Sequence, residues 1–394
     1  MRTTGVISRG IRTPIIKPGD DLVAIVVNSL KEAWESEGFT LRDRDVVGIT
    51  ESVVARAQNN YATIDHIAAH IKKLTGGGHI GILFPILSRN RFSILLKGIA
   101  NASDQLTLQL SYPADEVGNH LVDWEDLDEA GINPYLDTLT EEDFRRHFGE
   151  TCPHPFTGID YINFYREEAG IGKICFLFSN NPCEILAYTD TVIAADIHTR
   201  SRTRRLLEAA GAKKVITLDQ ILNQPIEGSG FNSRFGILGS NKATEDSVKL
   251  FPEKGQEMVD AVQKQLYILT GKQVEVMIYG DGAFKDPVGK IWELADPVVS
   301  PAFTPGLCGT PNELKMKYLA DTEFKDLSGE AAREAIILAI KAKEQNLTGK
   351  MVSEGTTPRQ LTDLLGSLCD LTSGSGDKGT PVILVQGYFD NYAS

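Results

Sequence analysis

The chain has 394 residues, 42% of them hydrophobic and 24% charged, with a formal net charge of −13; it is long enough for two or three domains and a sizeable core. That charge argues against a broad nucleic-acid surface, which needs clustered Lys and Arg, and leaves room only for a local basic pocket. Five scattered cysteines (Cys152, Cys175, Cys183, Cys308 and Cys369) form no CxxC pair. They predict reduced thiols in a cytoplasmic protein rather than a disulfide framework or a zinc site. The first residues lack the apolar region of a secretory signal, and no apolar run reaches the roughly 18 residues of a membrane span.

In chain order, a short strand around Val6 precedes an irregular segment in which Pro14 and Pro18 exclude a helix. Gly19-Asp20-Asp21 supplies a turn and a helix cap. Residues 22–37 then carry apolar positions at helical spacing and stop at Gly38. A buried strand, Val46–Thr50, leads into a short helical or looped segment bearing Arg56. The next amphipathic helix, closed by Gly76-Gly77-Gly78, holds His66 and His70 four apart. That spacing suits a metal, but the glutamate of an HExxH motif is missing, so a packed or surface pair is expected.

Between residues 80 and 235 the texture changes. A basic helix (RNRFSILLKGIANA), a strand (QLTLQLSYP), an acidic linker from Ala114 to Glu150 and a strand (GKICFLF) follow one another. A strand–helix–strand run then completes a small α/β unit. Arg200, Arg202, Arg204 and Arg205 cluster there; the pattern fits a phosphate contact and a solvated helix face alike.

The remainder reads as a loop carrying Ser240, Asn241 and Lys242, a long helix, and a buried strand that ends in Gly280-Asp281-Gly282. A strand that runs into a glycine-flanked acid delivers a carboxylate where the backbone can approach a ligand closely. Asp286, Glu293 and Asp296 follow. Such acids suit Mg²⁺, which is held by one or two carboxylates plus substrate phosphates; a solvated acidic loop is the alternative. After a further amphipathic helix (GEAAREAIILAIKAKEQN), a last helix enters the loop Ser373–Gly379 and a buried final strand, Pro381–Gln386. No GxxxxGK[ST] loop occurs, so the 373–379 loop is the best phosphate candidate. Its glycines expose N–H groups and Lys378 adds charge, although a plain turn fits the same residues. No Ser/His/Asp or Cys/His arrangement stands out, and the residues point to metal-assisted phosphate chemistry.

Five segments, taken in order, resemble motifs of the coenzyme F420-0:L-glutamate ligases, the γ-glutamyl ligases. They are Pro14–Leu22 (PIIKPGDDL), Asp45–Ala57 (DVVGITESVVARA), Phe235–Asn241 (FGILGSN), Ile278–Gly282 (IYGDG) and Ser373–Ile383 (SGSGDKGTPVI). The resemblance covers about residues 5–75 and 235–390. It implies a mixed α/β (α+β) fold, with a discontinuous ligase-like core at 1–79 and 236–394 around an inserted or expanded α/β region at 80–235. It implies a homodimer and amide formation driven by GTP or ATP with Mg²⁺ or Mn²⁺. In that chemistry an acceptor carboxylate becomes an acyl phosphate, which the amine of L-glutamate attacks. The acceptor is a small carboxylated cofactor, F420-0 or a folate, and neither nucleic acid nor membrane takes part.

Carried over by position, Asp281 would hold metal and act in catalysis with Lys378. Thr13, Pro14, Ile15, Ile16, Thr50, Glu51 and Arg56 would line the nucleotide, with Asn241 beside it. Ser373, Gly374, Ser375, Gly376, Asp377 and Lys378 would wrap the phosphates. The chain also departs from the family pattern. Leu238 stands where the family has a metal-binding Asp, so Asp286 and Asp296 join Asp281 as the expected metal set. Ser52 and Arg56 replace two family lysines, and Gly282–Pro287 differs from the usual segment. These departures mark a divergent branch. They keep two rivals in view: an inactive nucleotide- or cofactor-binding regulatory protein, and a phosphotransferase serving another amine.

Overall fold

The computed structural model describes residues 4–154, 157–280, 285–286, 291–292, 296–354, 359–373 and 377–394. Strand β1 (Ile7–Ile11) is followed by helix α1 (Leu22–Glu37). The Asp21 side chain caps α1 by accepting from Ala24 N at 3.0 Å, and Gly38 closes it at φ 69°, a left-handed conformation natural to glycine. Next come β2 (Val46–Thr50), α2 (Glu51–Ala57), β3 (Tyr61–Thr63) and α3 (Ile64–Thr75). The middle of the chain supplies β4 (His79–Leu83), α4 (Phe92–Ala102), β5 (Gln105–Leu110), α5 (Trp124–Ala130), β6 (Leu139–Thr140), α6 (Glu141–Phe148), α7 (Tyr161–Ala169), β7 (Ile174–Phe178), β8 (Thr191–Ala194), α8 (Arg200–Ala209) and β9 (Lys214–Thr217). The stretch expected to be an acidic linker thus contains α5 and α6, and Thr140 and Asp143 form a reciprocal cap at the start of α6. The last part holds β10 (Asn241–Thr244), β11 (Ser247–Lys249), α9 (Gly255–Thr270), β12 (Glu275–Tyr279), the short pair β13 (Lys285–Asp286) and β14 (Ile291–Trp292), β15 (Ala302–Phe303), α10 (Met316–Asp321), α11 (Gly329–Ala342), α12 (Leu361–Ser373) and β16 (Val382–Gln386).

One sheet runs in the order β1-β16-β2-β12-β15, with β2 and β12 parallel and the other neighbours antiparallel. Its central strands are apolar on both faces because both faces are covered. Val47, Ile49, Val276, Ile278 and Leu384 pack with Val26, Leu30, Val259 and Val262 of α1 and α9. The alternate residues Val46, Met277, Tyr279, Ile383 and Val385 pack with Leu365 and Cys369 of α12. This is the period-two alternation of a strand. Gly48 sits where α12 crosses; a Cβ there would collide with the Cys369 sulfur at 2.5 Å.

A second sheet runs β6-β7-β5-β4-β8-β9 and is parallel except for β6. Helices α3 and α4 pack tightly against each other, with Gly98 of α4 seated on Ile67 of α3, inside the apolar core of this sheet. Strand order reverses between β4 and β8, a topological switch point at whose carboxyl side open α/β sheets bind ligands. A small third sheet, β10-β11-β3, is wholly antiparallel. Among the described residues no helix is long and apolar enough to cross a membrane, and all five cysteines are unpaired.

Candidate active site

The parallel strands β2 and β12 are in register, with Thr50 opposite Tyr279. Their chains therefore leave the sheet side by side, β2 into Glu51 and β12 into Gly280. Glu51 is 5% exposed. One carboxylate oxygen accepts from Lys249 Nζ at 3.2 Å, and the same ammonium donates to Ser52 Oγ at 2.5 Å. The other oxygen, Oε2, has no hydrogen-bond partner among the described residues. Burial pushes the Glu51 carboxyl above its ordinary range; Lys249 and Arg91 oppose the shift and Asp296 adds to it.

Asp296 forms the neighbouring half of the site. Arg91 Nη1 donates to Asp296 Oδ1 at 2.7 Å, and both side chains are buried. The other Asp296 oxygen lies so close to Gly280 that any Cβ there would overlap it, which accounts for glycine at the position that follows β12. Arg91 precedes α4 in the connection that leaves the carboxyl end of β4. The Arg91–Asp296 pair thus joins the carboxyl edges of parallel strands from the two large sheets.

Over this edge lies a cleft of about 630 Å³, lined by Thr50, Glu51, Ser52, Arg56, Asn90, Asn241, Lys242 and Lys249, with Pro18 at its margin. That is the size of a small-molecule site. The β10–β11 hairpin supplies one wall: Asn241 pairs with Lys249 across it, and Lys249 lies opposite Tyr61 of β3. Asn241 and Lys242 were expected on a loop; they lie on a strand, held in part by Lys242 N donating to Asn90 O at 2.6 Å.

Of the residues expected at the nucleotide, Thr50, Glu51, Arg56 and Asn241 come together in this cleft. The Thr13–Ile16 segment is strapped alongside: Arg56 Nε donates to Ile16 O at 2.6 Å, and Thr13 N donates to Gly379 O at 3.3 Å. Ile16 is buried, whereas Pro14 and Ile15 face solvent. Ser373 ends α12, and Asp377 and Lys378 are exposed. Lys378 lines a different groove, of about 1010 Å³, with Arg9, Arg12 and Thr380. Asp281, Gly374, Ser375 and Gly376 lie outside the described residues, and Asp286 is described only as backbone of β13. Among the expected metal acids, Asp296 is therefore the one whose side chain the structure describes. Leu238 is buried in an apolar cavity with Ile86, Phe92 and Leu95, and Arg91 lines the same cavity.

Other singled-out residues have structural roles. His66 Nδ1 accepts from Thr63 N at 3.2 Å and completes the cap of α3, while buried His70 accepts from Leu222 N at 2.8 Å. Among the described residues no group of three or more His, Cys, Asp or Glu is placed to hold a metal. Arg200 pairs with Asp219 at 2.9 Å and Arg204 with Glu208 at 3.0 Å, on a helix face where Arg202 and Arg205 are exposed. Sequence reading missed Lys249 and Arg91. The signal for Lys249 was a lysine between Val248 and Leu250, where strand alternation puts an apolar run around a charge.

No curated protein matches the chain. The family model described as F420-0:gamma-glutamyl ligase matches residues 10–387, a span that takes in the second sheet, the first sheet except the start of β1, and every residue of the cleft. A cleft at the shared edge of parallel strands, with charged groups converging on it, is what amide-forming chemistry on charged substrates needs, and the match extends over nearly the whole sequence: the chain belongs to the F420-0:γ-glutamyl ligase family.

Proposed function

We propose that this ligase couples nucleoside triphosphate cleavage to joining L-glutamate to the carboxylate of F420-0, by way of an acyl phosphate. The observation that carries the reading is the convergence of Glu51, Lys249, Lys242, Arg56 and Asn241 on one cleft over the carboxyl ends of β2 and β12. Phosphoryl transfer to a carboxylate brings anionic groups together, and fixed cations with backbone donors stabilise that charge best in a site that excludes water. Arg56 and Lys242 supply positive charge at the cleft, and Asn241 offers an amide.

The Asp296 carboxylate beside the Gly280 backbone fits a divalent cation held by few protein acids and completed by substrate phosphates. Asp296, with Asp281 next to Gly280 in sequence, would hold Mg²⁺ or Mn²⁺, which neutralises phosphate charge when bound. Thr13–Ile16 and residues 373–378 are the proposed remaining contacts to GTP or ATP, in a homodimer.

Mass spectrometry tests the reading directly. The pure protein is incubated with L-glutamate, Mg²⁺ or Mn²⁺, and ATP or GTP, with F420-0 and reduced folates offered separately. A glutamyl mass increment on F420-0 with release of nucleoside diphosphate is expected, and Asp281→Asn should abolish it while the protein stays folded. An increment on folate alone would move the acceptor. Nucleotide binding without metal and without any phosphate release would replace the ligase reading with a binding protein.

A further inference from the structure

Most groups around the cleft suit anions; Glu51 does not. Its carboxylate is buried, Lys249 holds only one of its oxygens, and Lys249 is shared with Ser52. The second oxygen has no donor among the described residues. Leaving a buried acceptor unsatisfied costs about 1–3 kcal/mol, more for a charged group. An ion pair retained only for stability satisfies both oxygens, because its desolvation is repaid only by good geometry and full hydrogen bonding. The groups that act on Glu51 are Lys249 and Arg91, which favour its ionised form, and Asp296, which opposes it. A ligand that completes this arrangement brings N–H donors and positive charge, as an ammonium does.

We propose that Glu51 binds the α-ammonium of L-glutamate and takes a proton from it, with Lys249 holding the carboxylate in place. The proton-transfer part rests on the acyl-phosphate reading above. In that step Glu51 Oε2 receives one ammonium proton and leaves a neutral amine. The amine nitrogen forms a bond to the acyl carbon, and the carbon–oxygen bond to phosphate breaks with its electron pair on phosphate. The second nitrogen proton goes to the departing phosphate, so the products are the amide and hydrogen phosphate. The upward displacement of the Glu51 carboxyl by burial favours proton acceptance, since a base works best when its affinity matches the working pH.

The test compares L-glutamate with glutarate, the same dicarboxylate without the amine, by calorimetry in the presence of Mg²⁺, F420-0 and a non-hydrolysable nucleotide analogue. The wild-type protein should bind L-glutamate at least about tenfold more tightly than glutarate, the ratio that an ion-paired hydrogen bond supports. Glu51→Gln should bring the two affinities together. In turnover, hydroxylamine is a largely neutral nucleophile at pH 7 and needs no base. Glu51→Gln should lose far more glutamate transfer, roughly 10²–10⁴-fold, than hydroxamate formation. Because Glu51→Gln takes the carboxylate charge away from the buried Lys249 ammonium, the double variant Glu51→Gln/Lys249→Met removes both charges and should show the same loss of discrimination in a folded protein. An unchanged glutamate preference, or equal losses with hydroxylamine and glutamate, would overturn the proposal. A wild-type protein that discriminates through Glu51 yet forms neither product sinks the acyl-phosphate reading and leaves the ammonium site standing.

Discussion

Arg91 and Asp296 show how a single residue sets the energetics of the site. Breaking a buried pair from one side leaves an uncompensated charge and costs about 3–5 kcal/mol, whereas replacing both partners with apolar groups is often neutral. Arg91→Met should therefore lower the unfolding free energy by up to that amount, and Arg91→Met/Asp296→Leu should recover most of it while remaining inactive. Urea denaturation with an activity assay on the same samples checks both halves; an active double variant would remove Asp296 from the chemistry. Asp115 makes a similar case for pH. It accepts from Leu87 N, Val117 N, Asn119 N and Asn119 Nδ2 at 2.8–3.0 Å, yet full burial outweighs these bonds and raises its carboxyl to about 6. The folded state thus holds a proton that the unfolded chain, with an ordinary Asp near 3.8, has already released. This contribution is fully present below about pH 4 and is lost as pH rises through 6, on the order of 3 kcal/mol. Asp115→Asn should flatten the pH dependence of the urea midpoint across that window; an unchanged slope would show that the carboxyl titrates normally.

At the scale of elements, the sequence made the first sheet readable and left the site only half visible. Val46–Thr50, the strand before Gly280, the last strand and the helix between Asp21 and Gly38 are legible because apolar periodicity and capping residues are local signals. Thr50, Glu51, Arg56 and Asn241 were reachable through ordered motifs. The pairing of Lys249 with Glu51 spans 198 residues and that of Arg91 with Asp296 spans 205, and no local pattern encodes a contact of that reach. Asn241 was misread as loop because its segment is polar and half exposed, and its strand character comes from the hairpin partner β11. The packing of α12 on the first sheet gives a further prediction. Gly48→Ala places a methyl group against the Cys369 sulfur and Tyr279, and overpacking of this kind costs about 1–3 kcal/mol. Because α12 ends at Ser373, the first of the proposed phosphate contacts, the variant should on that reading also raise KM for nucleotide. Gly48→Ala/Cys369→Ala, which restores the space, should reverse both effects, and failure of that rescue would show that nucleotide affinity does not depend on the packing of α12.

For the whole molecule, the first sheet contributes Glu51 and Asp296, the second contributes Arg91 and Asn90, and the hairpin sheet contributes Asn241, Lys242 and Lys249. No single layer contains the candidate site, and the family match likewise runs through the middle of the chain, over residues 10–387. The Arg91–Asp296 bridge also has a consequence for how the chain comes apart. Separating the two layers breaks a buried ion pair, so opening one without the other carries a penalty of its own. Native-state hydrogen exchange should then find the amides of β4 and β12 opening in one cooperative event. In Arg91→Met/Asp296→Leu the two layers should exchange independently, and the pair proposed to serve the chemistry would then also be the latch that makes two sheets melt as one.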